Sequence, residues 1–80
     1  MTMAKEVYVG IDIGSLSSEA LLLGGDGILA YSIVNTGANP QRAARVCLKE
    51  ALRKAGVNET AIEGVVATGY GRIRVPFEAR

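Results

Sequence analysis

An aspartate followed by glycine and hydroxyl residues is the first feature of this sequence that could do chemistry. The segment GIDIGSLSS places Asp12 at the end of an apolar run, with Gly14, Ser15, Ser17 and Ser18 after it. A carboxylate can hold Mg²⁺, commonly through the ion's waters. Glycine lets backbone N–H groups approach a phosphate, and serine hydroxyls add donors. The spacing indicates a magnesium and phosphate site, but ordinary turns use the same residue types.

A second glycine-containing segment, TGYGR at residues 68–72, follows a later apolar run. Its arginine, Arg72, could meet a phosphate or a carboxylate with two hydrogen bonds. If the strands that precede the two segments are parallel neighbours, their carboxyl ends lie side by side, where ligands of open α/β sheets bind. We then expect the Asp12 and Gly69 loops to face one crevice. Alternatively, these residues have only a structural role: Tyr70 packs against the fold, and Arg72 forms an ion pair on the surface.

Glycine and proline mark the boundaries of the elements that must position these segments. GGDG at residues 24–27 predicts a tight hairpin. Asn39 before Pro40 is a typical helix start, and Gly56 is a typical helix end. The patterns predict one helix near residues 40–55 and four strands near residues 7–13, 19–24, 28–34 and 64–68.

The apolar patterns predict how these elements pack. The nearly unbroken run from Val7 to Ile13 is typical of a strand buried on both faces. Apolar residues recur at helical spacing over residues 44–55, and we assign Cys47 to that stripe as a small core residue. A strand–helix–strand crossover is right-handed and returns to a parallel neighbour. The sequence therefore predicts an α/β fold with a βββαβ element order and a mixed sheet in the spatial order 3-2-1-4.

The amino-acid composition excludes several classes of function. Eighty residues allow one small domain at most, residues 1–80, and a net charge of +1 gives no nucleic-acid footprint. One cysteine and no histidine exclude an internal disulfide, the usual zinc sites and a Ser–His–Asp triad. We find no signal-peptide pattern and no run near the ~20 apolar residues of a membrane span. We therefore expect a cytoplasmic protein that binds neither membrane nor nucleic acid.

Beyond these patterns, the sequence resembles a known family. GIDIGSLSSEALLL is similar to the first phosphate motif of the acetate and sugar kinase, Hsp70 and actin superfamily. Together with VNTGANP, AGVNETAIEGVVATGYGR and VPFEA, it resembles the activator ATPases of 2-hydroxyacyl-CoA dehydratases and of benzoyl-CoA reductases. The similarity runs from Val7 over nearly the whole chain. VATGYGR after the helix is its most specific part.

The resemblance implies more than the spacing shows. It implies the first part of a ribonuclease-H-like half of an actin-like ATPase domain, which binds ATP and Mg²⁺. Family members form homodimers that share one 4Fe-4S cluster and drive a low-potential electron into a dehydratase or reductase during anaerobic metabolism. By position, Asp12 would serve magnesium. Phosphate or nucleotide contacts would come from residues that match the family's motifs, namely Gly14, Ser15, Ser17, Ser18, Gly69 and Gly71.

Two departures from the family pattern keep other functions open. Leu16 and Glu19 stand where family members commonly have hydroxyl and lysine residues, and Cys47 does not match the cluster cysteines. The chain is also much shorter than family members, so we expect no ATPase turnover from it alone. The alternatives are a fragment of a small-molecule kinase of the same superfamily, or a non-catalytic binding or assembly module with a degenerate nucleotide loop.

Overall fold

A computed structural model describes residues 6–69 of the chain, so Tyr70, Gly71 and Arg72 of the second candidate segment lie outside the described residues. The described part contains four strands, one α-helix and one 3-10 turn. Their bounds are β1 Val7–Ile13, β2 Ser17–Gly24, β3 Gly27–Asn35, α1 Pro40–Ala55, the 3-10 turn Glu59–Ala61 and β4 Ile62–Gly69. Every predicted element is present, and each of the last three strands is somewhat longer than predicted.

The sheet has the predicted order β3-β2-β1-β4. β1 and β2 pair antiparallel, as do β2 and β3, whereas β4 lies parallel to β1. Gly27 closes the β2–β3 hairpin with a φ of 125°, a value that residues other than glycine rarely adopt. The parallel β1–β4 pairing is the arrangement on which the expected crevice depends, and it is confirmed.

α1 begins and ends at the predicted residues. The side chain of Asn39 accepts a hydrogen bond from the Arg42 N–H at 3.0 Å, and Pro40 occupies the first helical position. Gly56 ends the helix in the left-handed conformation, with φ 68°. The helix packs on β1, β2 and β3 through its apolar stripe, which is buried. The crossover from β3 to β4 therefore passes over one face of the sheet.

The core lies between α1 and that one face. Val7, Val9, Ile11 and Ile13 are at most 3% exposed and point toward the helix layer. On the other face of β1, Tyr8 is 47% exposed. The prediction that β1 is buried on both faces is therefore wrong for the described residues, because their single helix covers one side of the sheet.

Cys47 is a core residue, as its place in the stripe predicted. Its side chain is fully buried, and Sγ lies 3.4 Å from the carbonyl oxygens of Ser18 and Ser32. The Ser32 hydroxyl donates to the Cys47 carbonyl at 2.6 Å. Burial raises the pKa of the Cys47 thiol, so the thiolate is disfavoured. The residue joins β2, β3 and α1 rather than offering a reactive sulfur.

The edge position of β4 predicts self-association. Among the four described strands β4 has one neighbour, β1, and Val66 on it is 63% exposed. An exposed apolar edge strand invites pairing with another chain. We expect the purified chain to form dimers or larger species in analytical ultracentrifugation, and Val66→Lys to shift the distribution toward monomer because a charge blocks edge pairing. A monodisperse monomer at high concentration would contradict this prediction.

Candidate phosphate and magnesium site

The site begins with a contact between the ends of two parallel strands. Asp12 of β1 lies directly beside Thr68 of β4 in the sheet register. The Thr68 hydroxyl donates a hydrogen bond to Asp12 Oδ1 at 3.2 Å. The described start of the second segment, Thr68 and Gly69, therefore lies beside the end of β1, as expected. Thr68 was not among the candidate site residues, and only the parallel register shows that its hydroxyl reaches the aspartate.

Gly69 is the next residue of β4, and its lack of a side chain is required by this contact. A Cβ at Gly69 would lie 2.4 Å from the Ile13 carbonyl oxygen and 2.8 Å from Asp12 Oδ1. The residue also has a φ of 109°, which L side chains rarely adopt. Glycine therefore allows the β4 backbone to approach the aspartate closely. Gly71, the other predicted glycine of this segment, lies outside the described residues.

The candidate phosphate loop, residues 14–18, turns the chain from β1 into β2. The Gly14 N–H donates to the Ser17 carbonyl at 2.9 Å. A Cβ at Gly14 would lie 2.8 Å from that same carbonyl oxygen, so glycine permits the tight turn. Ser15 is exposed, and Leu16 at the tip is 83% exposed. The tip of the loop is thus open to solvent beside the Asp12–Thr68 contact.

The three predicted serine ligands do not lie on one side of the sheet. Ser15 is exposed, and Ser17 shares the open face of β2 with Glu19. Ser18 points the other way, because alternate residues of a strand face opposite sides. Its side chain is fully buried, with Oγ 2.8 Å from Thr36 Oγ1. Ser17 therefore faces the open side and Ser15 is exposed in the turn, whereas the Ser18 hydroxyl lies in the core.

Glu19 lies directly opposite Asp12 on the neighbouring strand. Opposite residues of an antiparallel pair share a face, with Cβ atoms about 5 Å apart. The Tyr31 hydroxyl donates to Glu19 Oε1 at 3.4 Å. Partial burial, and then the Glu19 carboxylate, raise the pKa of the Tyr31 phenol, so it stays protonated and able to donate. The open face thus carries two carboxylates side by side.

A shallow concavity of about 260 Å³ lies on this face. Tyr31, Leu21 and Val66 contribute aromatic and aliphatic side chains to its lining, together with the two carboxylates. The lining residues are Gly10, Ile11, Asp12, Glu19, Leu21, Tyr31, Val66 and Thr68. Within residues 6–69 no group of three or more metal-binding side chains comes together. The Asp12 carboxylate fits Mg²⁺, since that ion is usually held by one or two carboxylates with waters and substrate phosphates as the other ligands.

The architecture agrees with solved structures that have the actin-like and sugar-kinase fold. A putative N-acetylglucosamine kinase from Chromobacterium violaceum superposes with a TM-score of 0.60 at 22% identity, covering 86% of this chain and 28% of the kinase. That level of identity shows the fold alone. The described residues therefore form part of an actin-like ATPase fold, the predicted fold class.

Two solved activators of CoA dehydratases are more similar. Component A of (R)-2-hydroxyglutaryl-CoA dehydratase from Acidaminococcus fermentans superposes with a TM-score of 0.74 at 32% identity, covering 84% of this chain and 26% of that protein. The activator of 2-hydroxyisocaproyl-CoA dehydratase from Clostridium difficile, with bound ADPNP, gives a TM-score of 0.72 at 33% identity and covers 82% and 25%.

Curated sequences agree. The activator of lactoyl-CoA dehydratase from Anaerotignum propionicum is 43% identical in an alignment of 68 residues that covers 80% of this chain and 25% of the activator. The 2-hydroxyisocaproyl-CoA dehydratase activator from Clostridioides difficile is 36% identical over 66 residues, covering 81% and 24%. No protein-family model matches the chain. The chain is a homologue of the CoA-dehydratase activators and spans about a quarter of their length.

None of the described helices is both long and apolar enough to cross a membrane.

Proposed function

We propose that this chain binds the phosphates of ATP together with Mg²⁺, as part of an activator of a 2-hydroxyacyl-CoA dehydratase. The proposal is supported by homology to proteins named as such activators. One structural relative holds ADPNP, an analogue of ATP. The observation that carries the proposal is the contact between Asp12 and Thr68 beside the loop of residues 14–18.

Each part of this site has a chemical role in the proposal. Asp12 holds the magnesium ion, commonly through its waters. Gly14, Ser15 and Ser17 line the phosphates, with Gly69 beside them at the end of β4. Gly71 is a further proposed nucleotide contact. Ser18, buried beneath the loop, acts on its conformation rather than by touching phosphate.

The proposal also includes the activity of the activators as whole proteins. ATP binding and hydrolysis would drive an electron into a dehydratase or benzoyl-CoA reductase partner, with a 4Fe-4S cluster in a homodimer. Cys47 does not fit as a ligand of that cluster, because its thiol is fully buried and is the chain's one cysteine. We therefore assign the cluster to parts of an activator that this chain does not contain.

Glu19 favours a second candidate function, a non-catalytic binding or assembly module. Its carboxylate lies opposite Asp12 and opposes the binding of an anionic nucleotide on that face. A small-molecule kinase is supported by likeness of fold alone. The neighbouring coding sequence discriminates among these functions: further cysteines and an encoded dehydratase support the activator.

Asp12→Asn tests the proposed site directly. We expect weak, magnesium-dependent ADPNP binding to the chain, weakened about tenfold in Asp12→Asn because one anionic ligand is lost. We expect no steady-state ATP hydrolysis by either protein, since phosphoryl transfer needs several further groups around an in-line water. Calorimetric titration and a phosphate-release assay provide the two measurements.

The matched control is Asp26→Asn, which removes an exposed aspartate in the β2–β3 turn, at the other end of β2 from the loop. Equal binding by the wild type, Asp12→Asn and Asp26→Asn would contradict the magnesium role of Asp12. Robust turnover that disappears in Asp12→Asn would instead show that a complete catalytic site forms within eighty residues or across an oligomer.

A further inference from the structure

Thr36, the residue directly after β3, lies behind the candidate phosphate loop and is 4% exposed. We propose that it is a positioning residue that holds the loop in its phosphate-binding shape; this inference rests on the proposed function. Its hydroxyl donates to the Gly14 carbonyl at 2.7 Å, and its backbone N–H donates to the Leu16 carbonyl at 2.9 Å. Its hydroxyl oxygen also lies 2.8 Å from Ser18 Oγ.

The direction of these bonds follows from counting protons. A threonine hydroxyl carries one proton and two acceptor lone pairs. Because the Gly14 carbonyl can only accept, that proton is used there. Ser18 must therefore donate to Thr36, which gives its buried hydroxyl a function within the loop. The start, the tip and the end of the loop all depend on this one residue.

The same bonds determine where the loop's N–H groups point. In a trans peptide the C=O and N–H of one unit point in opposite directions, and the described chain contains no cis peptide. The carbonyls of Gly14 and Leu16 both point toward Thr36. The N–H groups of Ser15 and Ser17, which belong to those two peptide units, therefore point away from Thr36. N–H groups of a turn bind an anion that lies on the side to which they point, whereas carbonyls in their place would repel it.

The hydrogen bonds of Thr36 differ from those of Ser32, another buried hydroxyl residue between the sheet and the helix. Ser32 is also buried, at 2% exposure, but its hydroxyl donates to the Cys47 carbonyl in the helix and, within the described residues, makes no direct hydrogen bond to the loop. Removing either hydroxyl breaks a hydrogen bond to a backbone carbonyl and destabilises the fold. Only removal of the Thr36 hydroxyl releases Gly14 and Ser18. Ser32→Ala is therefore the matched control for the loss of stability.

Nucleotide binding tests the proposal first. Thr36→Val keeps the β-branched shape and removes the hydroxyl. We expect magnesium–ADPNP binding to the purified chain to weaken about tenfold in Thr36→Val, as for the loss of one hydrogen bond, and to recover in Thr36→Ser. Ser32→Ala should bind like the wild type. Wild-type affinity in Thr36→Val, or an equal loss in Ser32→Ala, would overturn the positioning role.

Hydrogen exchange provides a measurement that does not depend on nucleotide. The Gly14 N–H is bonded to the Ser17 carbonyl across the loop. We expect this amide to exchange on the order of tenfold faster in Thr36→Val, while the Ile11 amide at the centre of β1 is unchanged. Unchanged Gly14 exchange would overturn the inference. Faster exchange in a chain whose wild type binds no nucleotide would support Thr36 as the determinant of loop shape and would refute the proposed function instead.

Discussion

Replacing Glu19 with glutamine is expected to strengthen magnesium–ADPNP binding on the order of tenfold, and Glu19→Lys on the order of a hundredfold. Glu19 lies opposite Asp12, on the face that carries the candidate site. Two unit charges 5 Å apart interact by about 3 kcal/mol at an effective dielectric near 20. Because Glu19 is only partly buried, water screens roughly half of that energy. Glutamine removes the repulsion of the phosphates, and lysine turns it into attraction.

Calorimetric titration of ADPNP in the presence of magnesium measures the effect, and low salt enlarges it. Glu59→Gln removes the same charge from the exposed 3-10 turn before β4. That turn lies at the other end of the sheet, about 20 Å away at the rise of a strand, so screening should leave binding unchanged. If Glu19→Gln binds no more tightly than Glu59→Gln, then the phosphates do not lie beside Glu19. That outcome would favour the non-catalytic binding module.

Gly69→Ala is expected to destabilise the fold by about 2–6 kcal/mol. The new Cβ would lie 2.4 Å from the Ile13 carbonyl oxygen, a backbone atom that moves only if β1 and β4 separate. A strained backbone costs about 1–3 kcal/mol and overpacking a similar amount. For a domain of this size, each kcal/mol lowers the melting temperature by about 4–8 °C. We therefore expect the melting temperature to decrease by at least about 8 °C.

Thermal unfolding followed by circular dichroism measures this change. Gly25→Ala is the matched control, since a Cβ there meets no atom within 4 Å and its φ is not in the left-handed region. It should leave the melting temperature nearly unchanged. In Gly69→Ala the displaced β4 end also carries Thr68 away from Asp12, so magnesium-dependent nucleotide binding should be lost with the stability. Equal melting temperatures for the two variants would contradict the close β1–β4 approach.

Local chemistry made most of the fold predictable. Asn39, Pro40 and Gly56 act on the residues next to them, and they mark the two ends of α1 correctly. The hairpin glycines and the crossover rule similarly led to the sheet order that the structure has. The error concerned β1, whose apolar run indicated burial on both faces. Burial depends on which other elements are present, and the described part supplies one helix.

The sequence by itself determined the residue types of the candidate site and, through the parallel pairing, that Asp12 and Gly69 lie together. Only the tertiary structure decided which way the side chains point. In that structure Ser18 points into the core, and Glu19 lies opposite Asp12. Thr68 bonds to Asp12, and Thr36 bonds to the loop. The physical reason is register: a shift of one residue moves every side chain of a strand to the other face. Pairing across 18 to 56 residues of chain sets that register, and local sequence patterns do not reveal it.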